Sequence, residues 1–275
     1  MKPLDADKGG TPMDLTLRHG VIPRSRHHFR APAFESRLDW AEVVVETAVT
    51  LYVNGEEYVT AALTPIDLDD WATGFLAGEG LIESAADITI FQWRPDDGQI
   101  WVRVPGLHLQ PPEGSRYLGS CCGQSRPGFL RPSGGHPVQS SLTVPRNQIP
   151  GWFMELSTWS QAQHSGGLHA AGLVTGATFH SARADVGRHN ALDKLYGSFL
   201  KKAPAPSDEC VLVFTGRLSG EIIWKVANMG CPVVISNAAP TTLGIDLAEQ
   251  LGITAIGFAR DGEFSVYSHP ERVRP

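Results

Sequence analysis

Val49, Leu51 and Val53 alternate with polar neighbours up to Asn54-Gly55, and a second run from Tyr58 to Leu63 follows. Alternation with period two marks a half-buried strand, and Asn-Gly supplies the positive φ angles of a type I′ turn, so this stretch predicts a β-hairpin. After Pro65, Asp67 stands where a helix cap belongs, and Leu68, Trp71, Ala72, Phe75 and Leu76 share one helical face before Gly78 and Gly80. That spacing predicts a helix packed on one side. Its acids Asp67, Asp69, Asp70 and Glu79 suit the helix start and solvent.

The pattern then loosens. Residues 94–150 hold nine of the 20 prolines and eight glycines, with one clear strand at Ile100 to Val104. A stretch of this composition and length predicts a long loop with a role of its own, flexible from about 105 to 150.

Beyond Pro150, strands alternate with helices of roughly 10–15 residues, the pattern of an α/β layer. Leu168 to Val174 and Thr178 to Ala182 read as strands, and Ala191, Leu192, Leu195, Tyr196 and Phe199 as a helix face. Val211 to Phe214 is a buried strand, and Ser219 caps a helix that ends at Gly230. Pro232 to Ile235 is the next strand, Thr241 caps a helix that ends at Gly252, and the strand Thr254 to Phe258 follows. Glu263 to Tyr267 returns antiparallel through Arg260-Asp261-Gly262. The expected organisation is a disordered basic tail (1–37), an α+β region with a flexible cysteine loop (38–150) and an α/β domain (151–275).

Charge sharpens that division. The net charge is −6, yet residues 1–37 carry seven Lys/Arg against four Asp/Glu, which leaves the remainder at −9. An acidic body argues against a nucleic-acid binder. No apolar run is long enough for a membrane span and the N-terminus lacks a signal pattern, so the expected location is the cytoplasm. Four cysteines in 275 residues do not form a disulfide framework. Cys210 and Cys231 flank apolar strands and read as buried small hydrophobes. Cys121 and Cys122 differ, because they sit among glycine and polar residues near Arg116 and Arg126. A cysteine thiol has a pKa near 8.5, and a neighbouring cation raises its thiolate fraction, so an accessible pair on a flexible arm suits sulfur chemistry.

In open α/β sheets ligands bind beyond the carboxyl ends of the strands, where helix N-termini offer N–H groups to anions. Two loops there carry suitable groups: Thr215-Gly216-Arg217-Leu218-Ser219, with Arg217 as a phosphate fork, and Ser236 to Thr241, rich in hydroxyls. Neither is a P-loop or a dinucleotide fingerprint. The run Asp185-Val-Gly-Arg-His-Asn190 and His169 are open to both a ligand role and a structural one. A zinc deaminase requires His-x-Glu and Pro-Cys-x-x-Cys, and both are absent, so no zinc is expected.

Several segments together resemble the FdhD family of sulfur carrier proteins required for formate dehydrogenase maturation. They are Val53-Asn-Gly55, Leu63-Thr-Pro65, Gly74-Phe-Leu-Ala-Gly-Glu-Gly80, Ser165-Gly-Gly-Leu-His-Ala-Ala171, Asp185-Val-Gly-Arg-His-Asn-Ala-Leu-Asp-Lys194, Thr215 to Ser219, Met229-Gly-Cys-Pro232 and Ala239-Pro-Thr241. The resemblance spans about 42–270. It implies a cytidine-deaminase-like three-layer α/β fold and carrier-type sulfurtransferase activity through a cysteine persulfide. Sulfur would pass from a cysteine desulfurase to the molybdenum cofactor, in its bis(molybdopterin guanine dinucleotide) form, before insertion into formate dehydrogenase. It also implies a nucleotide site at Phe258, Ala259, Arg260, Asp261, Gly262 and Glu263.

Three positions depart from the family pattern. Cys121-Cys122-Gly123 stands where many members have Cys-Gly-x-Cys-Gly, which leaves the persulfide on either thiol, with Cys121 favoured as the first. Ala184 replaces a glutamate, and Ser165 a threonine. Two other readings share these features: a chaperone that binds the cofactor without covalent sulfur chemistry, and a thiol redox sensor. A homodimer stays open.

Overall fold

In the computed structural model, which describes residues 20–32, 34–109, 117–118, 124–125, 137–162, 166–202 and 207–275, the chain opens with two ten-residue strands. These are β1 (Val21–Arg30) and β2 (Glu35–Val44), an antiparallel hairpin that pairs with no other strand among the described residues. The expectation of a disordered tail through residue 37 is therefore corrected for residues 21–30 and 35–37. Alternating arginines and histidines gave that segment a tail-like composition, but cross-strand pairing, with Phe29 opposite Ser36 and His27 opposite Leu38, makes it a ribbon.

β3 (Thr47–Val53) and β4 (Glu56–Leu63) form the expected hairpin, with Asn54 and Gly55 at φ 53° and 94°. α1 (Leu68–Gly78) follows, then β5 (Ile90–Arg94) and β6 (Gln99–Arg103), which complete a four-stranded sheet ordered β4-β3-β6-β5. β5 lies outside the strands expected from the sequence. Val49, Leu51, Val53, Ile100 and Val102 pack with Trp71, Ala72 and Leu76 of α1 into one core.

The acids of α1 do more than serve the helix start and solvent. Asp67 occupies the N-cap, but its side chain caps nothing and instead lies 3.5 Å from Arg183. Asp70 is buried and pairs with Arg183 at 2.7 Å and Lys201 at 2.9 Å. Both corrections have one cause: α1 starts against basic residues of the second sheet region, not in open water.

β7 (Tyr117–Leu118) and β8 (Gln124–Ser125) pair antiparallel, and β9 (Val144–Pro145) pairs with a C-terminal strand. Next comes α2 (Ile149–Ala162), a helix outside those expected from the sequence. Pro150 suits a first helical turn, where the missing N–H is no loss. β10 (His169–Thr175), β11 (Thr178–Asp185), α3 (Arg188–Lys202), β12 (Cys210–Phe214), α4 (Gly220–Asn228), β13 (Val233–Ser236), α5 (Thr242–Gln250), β14 (Thr254–Arg260), β15 (Glu263–Val266) and β16 (Val273–Arg274) complete the chain, and β16 is the partner of β9. Six of these strands form a sheet ordered β11-β10-β12-β13-β14-β15, with β12, β13 and β14 parallel.

Alternation along the central strand explains the layers. Leu212 and Phe214 join the core under α3, α4 and α5, whereas Val211 and Val213 join the core under α2. Helices thus cover both faces of the sheet, as parallel strands require. The two sheet regions meet where α1 crosses α3. A Cβ on Gly74 would lie 1.8 Å from the Asp193 carbonyl oxygen, and one on Gly197 would lie 1.9 Å from that of Asp70. Only glycine permits so close an approach.

The same junction buries two ion pairs. Lys194 Nζ lies 2.6 Å from Asp185, both fully buried, and also donates to the Thr64 carbonyl at 2.8 Å. Asp185 in turn accepts from the backbone N–H groups of Thr64 (3.0 Å) and Gly187 (2.8 Å) and from Asn190 (3.1 Å). Burial holds the Lys194 ammonium below its usual pKa, against the attraction of Asp185. Lys225 and Asp193 form the second pair.

Candidate functional site

Three loops meet at the carboxyl edge of β12, β13 and β14. The Thr215 to Ser219 loop is tied to the Ser236 to Thr241 loop by Leu218 N–H to Ala239 O (3.2 Å) and Thr241 N–H to Leu218 O (3.1 Å). Phe258 N–H donates to Ala238 O at 3.3 Å and brings in the end of β14. β10 runs antiparallel to β12, so its first residue, His169, reaches the same edge, and its Nδ1 lies 2.5 Å from the Thr215 carbonyl oxygen. β11 ends there as well, with Asp185 opposite His169, and α3 starts three residues on.

The hydroxyls of this shelf are mostly spent on building it. Ser236 Oγ donates to Gly216 O at 2.6 Å and accepts from Ala238 N–H at 3.1 Å. Thr215 Oγ1 accepts from Ala170 N–H at 2.7 Å, and Thr241 Oγ1 caps α5 through Gly244 N–H at 3.1 Å. Ser219 behaves otherwise. It holds the N-cap position of α4 without a capping bond, and its buried Oγ has no hydrogen-bond partner among the described residues.

What the edge presents outward is charged and aromatic. Arg217 and Arg260 are exposed, as are Asp261, Gly262 and Glu263 in the turn after β14, while Ala259 is buried. Phe258 is partly exposed at φ 53°, with its ring 6.4 Å from that of Tyr267. Guanidinium groups suit phosphate oxygens, and a flat apolar ring suits a base.

The helix starts add groups that sequence reasoning left undecided or missed. His189 Nε2 lies 3.0 Å from the Glu221 carboxylate, in the first turn of α4, though outside hydrogen-bond alignment. Burial lowers the His189 pKa, opposed by Glu221 and reinforced by Lys225 and Arg188. The closeness of His189 chiefly keeps Glu221 ionised below its usual range. Glu221 was legible only as the second residue after the Ser219 cap. Arg188 Cδ would lie 3.3 Å from a Cβ on Gly216, which places it beside the loop.

The predicted thiols divide. Cys210 and Cys231 are buried, and burial raises both thiol pKa values, which makes them inert. Cys121 and Cys122 fall in sequence between β7 and β8 and lie outside the described residues. A cavity of about 360 Å³ lies on the first sheet region, lined by Asn54, Glu56, Arg103, Leu107 and His108 among others, and shares no residue with the loop shelf. Among the described residues no cluster of three or more His, Cys, Asp or Glu is arranged for a metal, and no helix is long and apolar enough to cross a membrane.

A three-layer α/β domain with a loop shelf at its carboxyl edge, locked by buried ion pairs to a smaller sheet-and-helix region, defines the class. Residues 44–274 match the model of the FdhD/NarQ family, and the chain belongs to that family. It is 40% identical over 242 residues to the sulfur carrier protein FdhD of Geobacillus kaustophilus (strain HTA426), covering 84% of this chain and 90% of that protein. The Staphylococcus haemolyticus (strain JCSC1435) protein of the same name is 40% identical over 241 residues, covering 84% and 89%. The crystal structure of a protein described as a formate dehydrogenase accessory protein, from Desulfotalea psychrophila, superposes with TM-score 0.74 at 26% identity. That match covers 92% of this chain and 99% of the other.

Proposed function

We propose that this protein carries sulfur from a cysteine desulfurase to the molybdenum cofactor of formate dehydrogenase in the cytoplasm. The Cys121 thiolate attacks the outer sulfur of the desulfurase persulfide, the desulfurase thiolate leaves, and Cys121 holds the new S–S bond as a persulfide. Cys122 assists beside it. The three-layer domain, read as a cytidine-deaminase-like scaffold without zinc, holds bis(molybdopterin guanine dinucleotide) as cargo on its loop shelf, and Cys121 delivers the sulfur there.

The observation that carries this reading is the joining of three loops into one shelf that displays Arg217, Arg260 and Phe258. Such a surface offers two cations to phosphates and a ring to guanine, which fits the cargo. Ser219, with an unspent buried hydroxyl, fits an oxygen-rich ligand as well. Thr215, Gly216, Ser236 and Thr241 shape the loops, as Ala259, Asp261, Gly262 and Glu263 shape the β14–β15 turn.

Two measurements test it. Incubation with a desulfurase and free cysteine should add about 32 Da, one sulfur, removable by thiol reductant. The gain should vanish in Cys121→Ala/Cys122→Ala and persist in Cys210→Ala and Cys231→Ala. Calorimetric titration of GDP should show binding weakened by about 1.5–3 kcal/mol in Arg217→Ala or Arg260→Ala and unchanged in Cys121→Ala. Full formate dehydrogenase activity without both cysteines would leave the non-covalent chaperone instead. No GDP binding at millimolar concentration would remove the guanine dinucleotide from the account.

A further inference from the structure

The start of α4 carries polar groups that building the shelf does not use up. Glu221, in its first turn, has His189 Nε2 3.0 Å from Oε2, while Oε1 meets no partner among the described residues, and the side chain keeps 18% of its surface open. Ser219, two residues earlier, is only 7% exposed, and its Oγ, which caps nothing, can turn about χ1 without breaking a bond to any described residue. An unspent buried hydroxyl beside a half-spent carboxylate calls for a ligand that brings both donors and an acceptor. Phosphate does not meet that demand: the positive end of α4 and the nearby Arg188 attract anions, but an ionised Glu221 in the same turn repels one.

A planar ring that presents two adjacent N–H donors next to a carbonyl does meet it. The donors pair side by side with the carboxylate, and the carbonyl accepts from Ser219 or from the orphan N–H groups of the first helical turn. Guanine and pterin both carry that 2-amino-4-oxopyrimidine edge, and position separates them. Phe258 lies near the end of β14, whereas α4 follows β12, and β13 runs between the two strands. Two strand spacings set these places roughly 10 Å apart, too far for one ring and suited to the two ends of a dinucleotide. We propose that Glu221 reads the pterin edge of the cargo, with Ser219 as donor to the pterin carbonyl and His189 as the group that holds the carboxylate in place, an assignment that rests on the molybdopterin guanine dinucleotide cargo proposed above. Phe258 then keeps the guanine.

Titration of the full chain with neopterin, a soluble pterin, followed by saturation-transfer NMR, tests this, with GDP titrated in parallel. Neopterin should bind the wild type and stay bound at saturating GDP. Glu221→Gln, which turns one acceptor into a donor, should weaken neopterin by about tenfold or more and change GDP affinity by less than about twofold. Lumazine, the pteridine-2,4-dione that lacks the 2-amino group, should bind the wild type about tenfold more weakly than neopterin and lose little more in the variant. Should Glu221→Gln fail to fold, Ser219→Ala should weaken neopterin by about threefold or more. Neopterin that does not bind at millimolar concentration, that GDP displaces, or that binds Glu221→Gln as well as the wild type overturns the proposal. GDP that fails to bind while neopterin still depends on Glu221 removes the guanine dinucleotide and leaves the pterin site standing.

Discussion

Asp185→Asn tests whether the sheet regions are held together by a charge pair or by packing alone. The carboxylate lies 2.6 Å from Lys194 Nζ with both side chains inaccessible to solvent. The two N–H groups go to different carboxylate oxygens, Thr64 to Oδ2 and Gly187 to Oδ1, so asparagine keeps its oxygen for Gly187, turns its amide NH₂ towards the Thr64 N–H and leaves the ammonium with only carbonyl partners. Removing one member of a buried pair typically costs about 3–5 kcal/mol, because the surviving charge stays desolvated. For a chain of this size that is a fall of roughly 6–20 °C in midpoint temperature. Lys194→Met should cost a similar amount. In Asp185→Asn/Lys194→Met no charge remains, and the new amide can donate to the Thr64 carbonyl that Lys194 vacates, so the double variant should lose at least about 2 kcal/mol less than the sum of the singles. pH supplies an independent check. Burial already holds the Lys194 pKa below its usual value, and loss of Asp185 lowers it further. The unfolded chain then binds more protons than the folded one as pH rises towards 10.5, so the stability of Asp185→Asn rises in that window. Its deficit should be smaller at pH 9 than at pH 7 in urea titrations. Strict additivity in the double variant, or a deficit below about 1 kcal/mol in Asp185→Asn, would refute the reasoning.

Gly197→Ala should destabilise by about 1–3 kcal/mol or more, since the new Cβ would meet the Asp70 carbonyl oxygen at 1.9 Å and the Gly74 nitrogen at 2.8 Å; an unchanged urea midpoint would show that α1 and α3 can part freely. His189→Asn should flatten the stability profile on the acid side of about pH 6.5, because the buried imidazole, whose folded pKa is lowered, penalises the folded state as it gains a proton; an identical slope between pH 7 and 5 in wild type and variant would refute this. Iodoacetamide should modify Cys121 and Cys122 in the native protein and all four cysteines only after unfolding, read by peptide mass; rapid native labelling of Cys231 would contradict its burial.

Much of the fold was legible because its elements carry their own signals. Asn54-Gly55 closes the first sheet's hairpin, Thr241 caps α5, and Val211 to Phe214 is apolar on both faces because helices cover both faces. Other elements were hidden for physical reasons. α2 carries Trp152, Phe153 and Leu156 towards the sheet, but Pro150 at its start and the proline-rich stretch before it mask the helical spacing. Among the described residues β1 and β2 bury neither face, so their alternation resembles tail composition. The loop shelf could be guessed from strand ends and helix caps. The internal use of Ser236 and Thr241 could not, because it depends on which loops come to lie side by side.

The segment Asp185 to Lys194 shows how far a motif can mislead about chemistry. Ten residues with two acids, two amine or guanidine bases, a histidine and an amide look like a reactive site. Yet Asp185 and Lys194 neutralise each other in the core, Asn190 bridges Asp185, the Ala62 carbonyl and the Trp71 indole, and Asp193 is paired with Lys225. Asp185, Asn190 and Lys194 fasten α3 to the first sheet region and Asp193 ties it to α4, and the three charged groups among them are buried. Arg188 and His189 remain, at the one turn of α3 that reaches the loop shelf, where His189 meets Glu221 and Arg188 lies beside Gly216. A buried clamp set directly under these two residues fixes the shelf relative to the first sheet region. Loss of the clamp should therefore disturb the shelf before it disturbs the sheet, and GDP affinity in Asp185→Asn should fall at temperatures where its far-ultraviolet spectrum is still that of the wild type.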